Sequence, residues 1–214
     1  MAKEVDLKKG ELSRHVNKAL KAIADGYIIA IPLEHSYAFA CDAFRQDAVR
    51  AMHALRGDSL FTAAQVAVGS VKTAQGVVRE ITPEIGALMK KFWPGLLSLN
   101  LRPQMGLSWD LGDNNQLDRV SIRVPKSKFA KALLAKTGPL AIASGSRVGG
   151  FVPKEISDIF VLDSDLAFKF NGGKLRVGPS STVIEADSDG VRVLRIGAIS
   201  LEEIQAIVPS AALI

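Results

Sequence analysis

The sequence AIPLEHSYAFACDA, residues 30–43, contains two apolar runs and a polar cluster that starts after the first run. The first run ends at Pro32 and predicts a buried strand, and residues 37–43 predict a second strand. The cluster holds an acid, an imidazole, a hydroxyl and a phenol: Glu34, His35, Ser36 and Tyr37. Proteins of the α/β class bind ligands where strands end. The stretch therefore indicates a ligand site, which is either catalytically active or the remnant of an active site that has lost its activity.

The composition is that of a globular protein in a reducing compartment. Of 214 residues, 48% are hydrophobic and 23% are charged. No apolar stretch approaches the length of about 20 residues that spans a bilayer, and the N-terminal MAKEVDLKKG lacks the apolar region of a secretory signal. The single cysteine, Cys41, excludes an internal disulfide and most structural zinc sites. We expect a cytoplasmic protein with no membrane partner.

The net charge of +5 suits a phosphate-bearing ligand or RNA, although the basic residues are scattered. The densest basic region is residues 123–136. A solvated helix face is the favoured interpretation of that region.

Hydrophobic periodicity predicts helices interleaved with strands throughout the chain. The predicted helices cover residues 11–25, 46–55, 82–93, 126–138, 155–159 and 200–208. The predicted strands cover residues 27–32, 37–43, 63–69, 95–101, 120–125, 139–144, 166–170, 181–186 and 191–196, and residues 108–119 are a polar loop or hairpin connection. Thr82 with Pro83, and Ser200 with Glu203, are helix N-terminal signals. Without linkers or repeats, residues 1–214 predict one α/β (α+β) domain with a twisted mixed sheet flanked by helices.

General catalytic motifs are absent from the sequence, including the P-loop, G-x-G-x-x-G, H-E-x-x-H and G-x-S-x-G. His15 and His53 lie in helical patterns, which predict that both are surface or packing residues. His35 follows a strand end and is a base, a donor or a structural histidine. Cys41 lies in an apolar strand, which favours a core residue over a nucleophile.

Two turns rich in small residues indicate anion binding. IASGSRVGG, residues 142–150, and VGPSSTVIEA, residues 177–186, place glycines and hydroxyls at strand ends. Glycines let backbone N–H groups approach an anion, and hydroxyls donate to its oxygens. Arg123 and Arg195 lie in or at the ends of further strands, so the sequence predicts one anion-binding cleft.

In order and spacing, these segments resemble the YrdC/YciO family, the threonylcarbamoyl-adenylate synthases, over about residues 12–208. The family pattern runs P-T-(D/E)-T-x-Y-G-L, K-x-R, F-W-P-G-P-L-T, R-x-P, S-A-N-x-S-G, P-S-T-(V/I) and L-R-x-G. The best matches are FWPGLLSLNL (92–101), SIRVP (121–125), PSSTVIE (179–185) and VLRIGAIS (193–200). The resemblance implies a YrdC-like domain with a concave, basic cleft.

The resemblance also implies an activity. Family enzymes join L-threonine, bicarbonate and ATP into threonylcarbamoyl-AMP with release of pyrophosphate, and the product goes on to modify adenosine in tRNA. ATP would be a substrate accompanied by Mg²⁺, without a tightly bound cofactor or a protein metal site. Basic residues would offset phosphate charge in the transition state.

Site residues follow from the resemblance by position, although no catalytic residue is assigned. The implied substrate-binding residues are Glu34, His35, Ser36 and Tyr37. The implied nucleotide-binding residues are Arg56, Arg123, Ser144, Ser146, Ser181, Thr182 and Arg195. The alternative for the matching residues is structural: the arginines serve buried ion pairs, and the Ser-Thr turn caps strands.

Several positions depart from the family pattern. Leu33 and His35 replace its two threonines, and Ser146 replaces its asparagine. Arg56 stands at the family lysine and Asp58 at the family arginine, which predicts a reversed charge where the triphosphate binds. A unit charge 4 Å away contributes roughly 4 kcal/mol at an effective dielectric of about 20.

Three hypotheses about function follow. The first is a divergent threonylcarbamoyl-AMP synthase, with His35 and Ser36 in place of the lost hydroxyls and Arg147 as a substitute cation. The second is an inactive paralogue that binds a nucleotide or structured, double-stranded RNA, and Asp58 favours it. A purely structural role has the least support, because the small-residue turns meet no obvious packing need.

Overall fold

The computed structural model describes residues 2–114, 116, 118–159, 161, 166–188 and 190–214. Within them, eleven strands form one sheet. The strands are β1 (Lys3–Asp6), β2 (Ile29–Pro32), β3 (Tyr37–Asp42), β4 (Gln65–Ala67), β5 (Leu97–Leu101), β6 (Val120–Arg123), β7 (Leu140–Ser144), β8 (Phe168–Asn171), β9 (Thr182–Asp187), β10 (Gly190–Arg195) and β11 (Ala212–Leu213). The helices are α1 (Leu12–Ala24), α2 (Gln46–Arg56), α3 (Val71–Val77), α4 (Pro83–Phe92), α5 (Lys128–Thr137) and α6 (Leu201–Gln205).

The sheet is mixed, with the strand order β1-β8-β2-β3-β7-β4-β6-β5-β9-β10-β11. The sheet contains both antiparallel pairs, such as the hairpin-like β2–β3, and parallel pairs, such as β5–β9. The predicted mixed α/β architecture is therefore confirmed. Strands that are distant in the sequence become neighbours, which brings their polar ends together.

Each face of the sheet carries its own apolar core. Alternate side chains of a strand point to opposite faces, so Ile29 and Ile31 pack with α1 and α5, whereas Ala30 packs on the other side. The second side holds the larger cluster, which includes Met52 of α2 and Leu88 of α4. This two-sided burial explains why β2 and β3 read as continuous apolar runs.

Helix starts follow the sequence signals. Thr82 Oγ1 accepts a hydrogen bond from the Ile85 N–H at 3.4 Å. Ser200 and Glu203 form the predicted capping box, with reciprocal bonds of 3.2 and 2.9 Å. Both predicted helix starts are confirmed.

Sequence patterns missed β1, α3 and β11 and misassigned one helix. The segment KEVD of β1 has a single buried residue, Val5, and is a strand because it pairs with β8 at the sheet edge. The segment predicted as a helix over residues 155–159 forms only a 3-10 turn at Ile156–Asp158. In the polar loop 108–119, the described residues form neither helix nor strand, and residues 115 and 117 lie outside the description. None of the described helices has the length and apolar character needed to cross a membrane.

Candidate substrate-binding cleft

A cavity of about 460 Å³ lies where β2, β6, β7 and β10 end and β9 begins. Seven of the eleven predicted site residues line it: Glu34, His35, Ser36, Arg123, Ser144, Ser181 and Arg195. The sheet order explains this convergence, because residues 34 and 181 belong to segments that only long-range pairing brings together. The remaining four, Tyr37, Arg56, Ser146 and Thr182, do not contribute to the lining.

Arg123 forms an ion pair with Glu34 inside the cleft. Both side chains are about nine-tenths buried, with exposed fractions of 7% and 10%. The other carboxylate oxygen of Glu34 accepts the Lys126 backbone N–H at 2.6 Å. Arg123 Nε has no hydrogen-bond partner among the described residues. The guanidinium charge is thus offset by Glu34 in this state, and the buried Nε–H group is left without an acceptor.

His35 is held by its ring and by its backbone. Its Nδ1 lies 3.1 Å from the Arg176 carbonyl oxygen, so this bond requires a proton on Nδ1 and leaves Nε2 of the neutral ring as an acceptor. The ring packs against Gly178, where an added Cβ would lie 2.5 Å from ring atoms. Lys154 Nζ donates to the His35 carbonyl oxygen at 2.6 Å. His35 is therefore fixed in the cleft, and Nε2 of its neutral ring is a proton acceptor.

A chain of hydroxyl and amide groups runs from inside the sheet to the cleft. Gln65 Nε2 donates to Ser98 Oγ and Ser121 Oγ at 2.9 and 3.1 Å, and Ser98 Oγ donates to Ser181 Oγ at 2.9 Å. Arg195 donates to the Ser181 carbonyl at 2.9 Å and to its hydroxyl at 3.2 Å. This network fixes Ser181 and Arg195 side by side at the nucleotide end implied by the resemblance.

Thr182 supports the cleft from behind. It is fully buried, and its hydroxyl donates to the Ile199 carbonyl at 2.7 Å. The same oxygen accepts the N–H groups of Gly197 and Ile199 at 2.9 and 3.0 Å. These bonds fasten the turn that follows Arg195 to the start of β9.

Replacing Thr182 with valine is expected to lower the free energy of unfolding by about 3 kcal/mol, because the N–H groups of Gly197 and Ile199 lose their acceptor while the side-chain volume hardly changes. Thr182→Ser keeps the hydroxyl and should cost only about 1 kcal/mol for the lost methyl group. Urea denaturation of the two variants measures the difference. A loss for Thr182→Val no larger than that for Thr182→Ser would show that the hydroxyl is not the main contribution to the stability of this turn.

Tyr37 is part of the core rather than of the cleft lining. Its hydroxyl donates to the Gly173 carbonyl at 2.7 Å and accepts the Gly172 N–H at 2.9 Å. Burial raises the pKa of the phenol above its ordinary value of 10.0. Tyr37 thus fixes the turn after β8, and a direct contact with substrate stays a prediction.

Arg56 belongs to a buried clamp formed by Arg56, Asp58 and His53. Arg56 Nε and His53 Nδ1 contact the same carboxylate oxygen of Asp58 at 2.9 and 2.7 Å. One terminal nitrogen of Arg56 donates to the backbone carbonyls of Ser144 and Ser146. The clamp therefore holds the segment between Ser144 and Ser146 against α2, while the Ser144 and Ser146 hydroxyls lie 3.0 Å apart.

The clamp alters the interpretation of Asp58. Its side chain is only 4% exposed and does not line the cavity, so the negative charge faces His53 and Arg56 rather than the cleft. In this geometry His53 and Arg56 offset the charge of Asp58, and an effect of Asp58 on a bound triphosphate stays a prediction. His53 is a packing residue of α2, as the helical pattern predicts, and its Nε2 lies 2.8 Å from the Leu111 carbonyl oxygen.

Several residues of the site escaped sequence reasoning. Lys154 lines the cleft but follows a glycine-rich segment without a strand pattern. Gln65 and Ser98 were visible as polar residues within apolar strand runs, which is the signal that could have identified them. Cys41 is fully buried and burial raises the pKa of its thiol to about 12, which confirms its prediction as a core residue.

A profile of the Sua5/YciO/YrdC family, described as telomere recombination, matches residues 21–197. The chain belongs to this family. A Mycobacterium tuberculosis (strain H37Rv) protein, provisionally named threonylcarbamoyl-AMP synthase, is 32% identical over 193 residues, covering 90% of this chain and 88% of the relative. The threonylcarbamoyl-AMP synthase of Bacillus subtilis is 27% identical over 195 residues, covering 90% of this chain and 56% of the relative. These names favour the synthase hypothesis over the inactive-paralogue hypothesis.

Solved structures of the family share the fold. Pyrococcus abyssi Sua5 complexed with L-threonine superposes with a TM-score of 0.88 at 24% identity, covering 100% of this chain and 62% of Sua5. Escherichia coli YciO gives a TM-score of 0.80 at 20% identity, covering 95% of this chain and 98% of YciO. The predicted family and fold are confirmed, whereas the roles of the site residues and the basic character of the cleft stay predictions.

Proposed function

We propose that this protein is a threonylcarbamoyl-AMP synthase that uses L-threonine, bicarbonate and ATP. The observation that carries the proposal is the convergence of seven family-implied residues on one cleft of a Sua5-like fold. The product would serve adenosine modification of tRNA in the cytoplasm. Mg²⁺ would accompany ATP as part of the substrate.

The reaction needs formation of a carbamate and then transfer of AMP to that carbamate. The threonine amine must lose a proton and combine with bicarbonate, which releases water and gives a carbamate. His35 lines the cleft, and its Nε2, which is unprotonated in the neutral ring when Nδ1 donates to Arg176, would accept that proton. A carbamate oxygen then attacks the α-phosphorus of ATP, and the bond to pyrophosphate breaks.

The nucleotide end of the cleft would hold the phosphates. Arg195 and Ser181 are fixed together by hydrogen bonds, and Ser144 faces the same cavity. A guanidinium and hydroxyls in this arrangement offer donors to phosphate oxygens as negative charge develops on the leaving pyrophosphate. Fixed donors add to catalysis because they need no reorganisation during the reaction.

The test is incubation of the purified protein with ATP, L-threonine, bicarbonate and Mg²⁺, followed by mass spectrometry for threonylcarbamoyl-AMP. The Bacillus subtilis synthase serves as the positive control. We expect product and an equal amount of pyrophosphate. A preparation that is folded and yields no product beside an active control would contradict the proposed function.

A further inference from the structure

The cleft differs from its sequence-based description in where its free positive charge lies. Arg123 is paired with Glu34, and Arg56 is held by Asp58 outside the lining. Two other cations line the cavity, Lys154 and Arg195. Among the described residues, neither the Lys154 ammonium nor the Arg195 guanidinium forms an ion pair with a carboxylate, so these two side-chain cations are available to substrate anions.

The structure holds Lys154 in place from several sides. Its backbone N–H donates to the Asp158 carboxylate at 2.8 Å, and its carbonyl accepts the Leu175 N–H at 2.8 Å. The side chain is half-buried, and Nζ donates to the His35 carbonyl at 2.6 Å. An ammonium group has three donors, so two remain after this bond. A lysine anchored in this way, without an acid partner, is a built anion-binding group.

Lys154 and Arg195 are held by different segments of the cleft. Arg195 is bonded to Ser181, at the segment implied in nucleotide binding. Lys154 is bonded to His35, in the strand-end cluster implied in amino-acid binding. A guanidinium suits the several oxygens of phosphate, whereas an ammonium is a compact point charge.

We propose that Lys154 binds the α-carboxylate of the amino-acid substrate, while Arg195 holds the phosphates of ATP. This assignment rests on the proposed function and adds a residue that lies outside the family pattern found in the sequence. It also compensates for the hydroxyl side chain that is missing at His35. Lys154 is a substrate-binding residue, and its effect falls on one substrate only.

Steady-state kinetics test this division. We expect Lys154→Ala to raise the KM for L-threonine roughly tenfold to a hundredfold, as for a lost hydrogen bond to a charged group, with the KM for ATP unchanged. Lys154→Arg should recover most of the affinity. Lys174→Ala is the matched control, because Lys174 is 77% exposed and pairs with Glu155 beside the same loop. A rise in the KM for ATP, or no change in either KM, would overturn the proposal.

Calorimetric binding separates this proposal from the proposed function. L-threoninol lacks the carboxylate, so the wild-type protein should prefer L-threonine, and Lys154→Ala should lose that preference. If Lys154→Ala loses the preference for L-threonine and the wild-type protein forms no product, the role of Lys154 is supported and the synthase activity is contradicted. Product formation without a change of preference in Lys154→Ala would do the reverse. Absence of both would contradict both proposals.

Discussion

Replacement of Asp58 with alanine is expected to lower the free energy of unfolding by about 3–5 kcal/mol. The reason is that Asp58, Arg56 and His53 have exposed side-chain fractions of only 4%, 14% and 12%. Removing the shared carboxylate leaves a buried guanidinium without its counter-ion and a ring nitrogen without its partner. Arg56, which donates to the carbonyls of Ser144 and Ser146, would then lack the ion pair that fixes its side chain.

Asp47, in the first turn of α2, provides a matched control, because Asp58 follows the end of the same helix. It also pairs with an arginine two residues away, Arg45, at 3.3 Å, but its side chain is 73% exposed. Asp47→Ala should cost less than about 1 kcal/mol. Chemical denaturation of both variants measures the contrast. If the loss at Asp58 is no larger than the loss at Asp47, the clamp does not contribute to stability.

The second large effect concerns the ion pair in the cleft. Glu34→Ala should also cost about 3–5 kcal/mol, because it leaves Arg123 buried without an opposite charge. A double variant, Glu34→Leu with Arg123→Met, removes both charges and should recover to within about 1 kcal/mol of the wild type. Thermal and urea denaturation of the single and double variants give the coupling energy.

The double variant also separates structure from ligand binding at Arg123. It is expected to be folded yet to bind ATP at least about tenfold more weakly, because the nucleotide-binding role that the resemblance implies for Arg123 includes a charged hydrogen bond to phosphate. Calorimetric titration with ATP measures this. Binding equal to the wild type in a folded double variant would show that Arg123 only balances Glu34, which was the structural alternative.

Regular patterns made much of the fold predictable. The strands β2, β3, β5 and β7 are buried on both sides, and their short apolar runs made them predictable. The edge strands β1 and β11 have little burial and owe their conformation to partners that the sequence does not indicate. Tertiary pairing, rather than local preference, decides such segments.

The site was predictable in membership but not in orientation. The family motifs predicted Ser181 and Arg195 as cleft residues, and both line the cavity in the structure. The motif could not show that the Asp58 side chain is buried. Its partners Arg56 and His53 lie on α2, and their contacts with Asp58 are evident only in the folded structure. Lys154 lies in an irregular segment, and hydrophobic periodicity gives no information about the position of its side chain.

The sheet order has a consequence for how the chain acquires its shape during synthesis. The strand β3 pairs with β7, which is made roughly a hundred residues later, and β5 pairs with β9 after a comparable delay. An unfinished chain therefore exposes apolar strands whose partners do not yet exist, and such edges favour aggregation. The walls of the cleft meet only after Arg195 has left the ribosome, so we expect slow folding and protection of the nascent chain by chaperones.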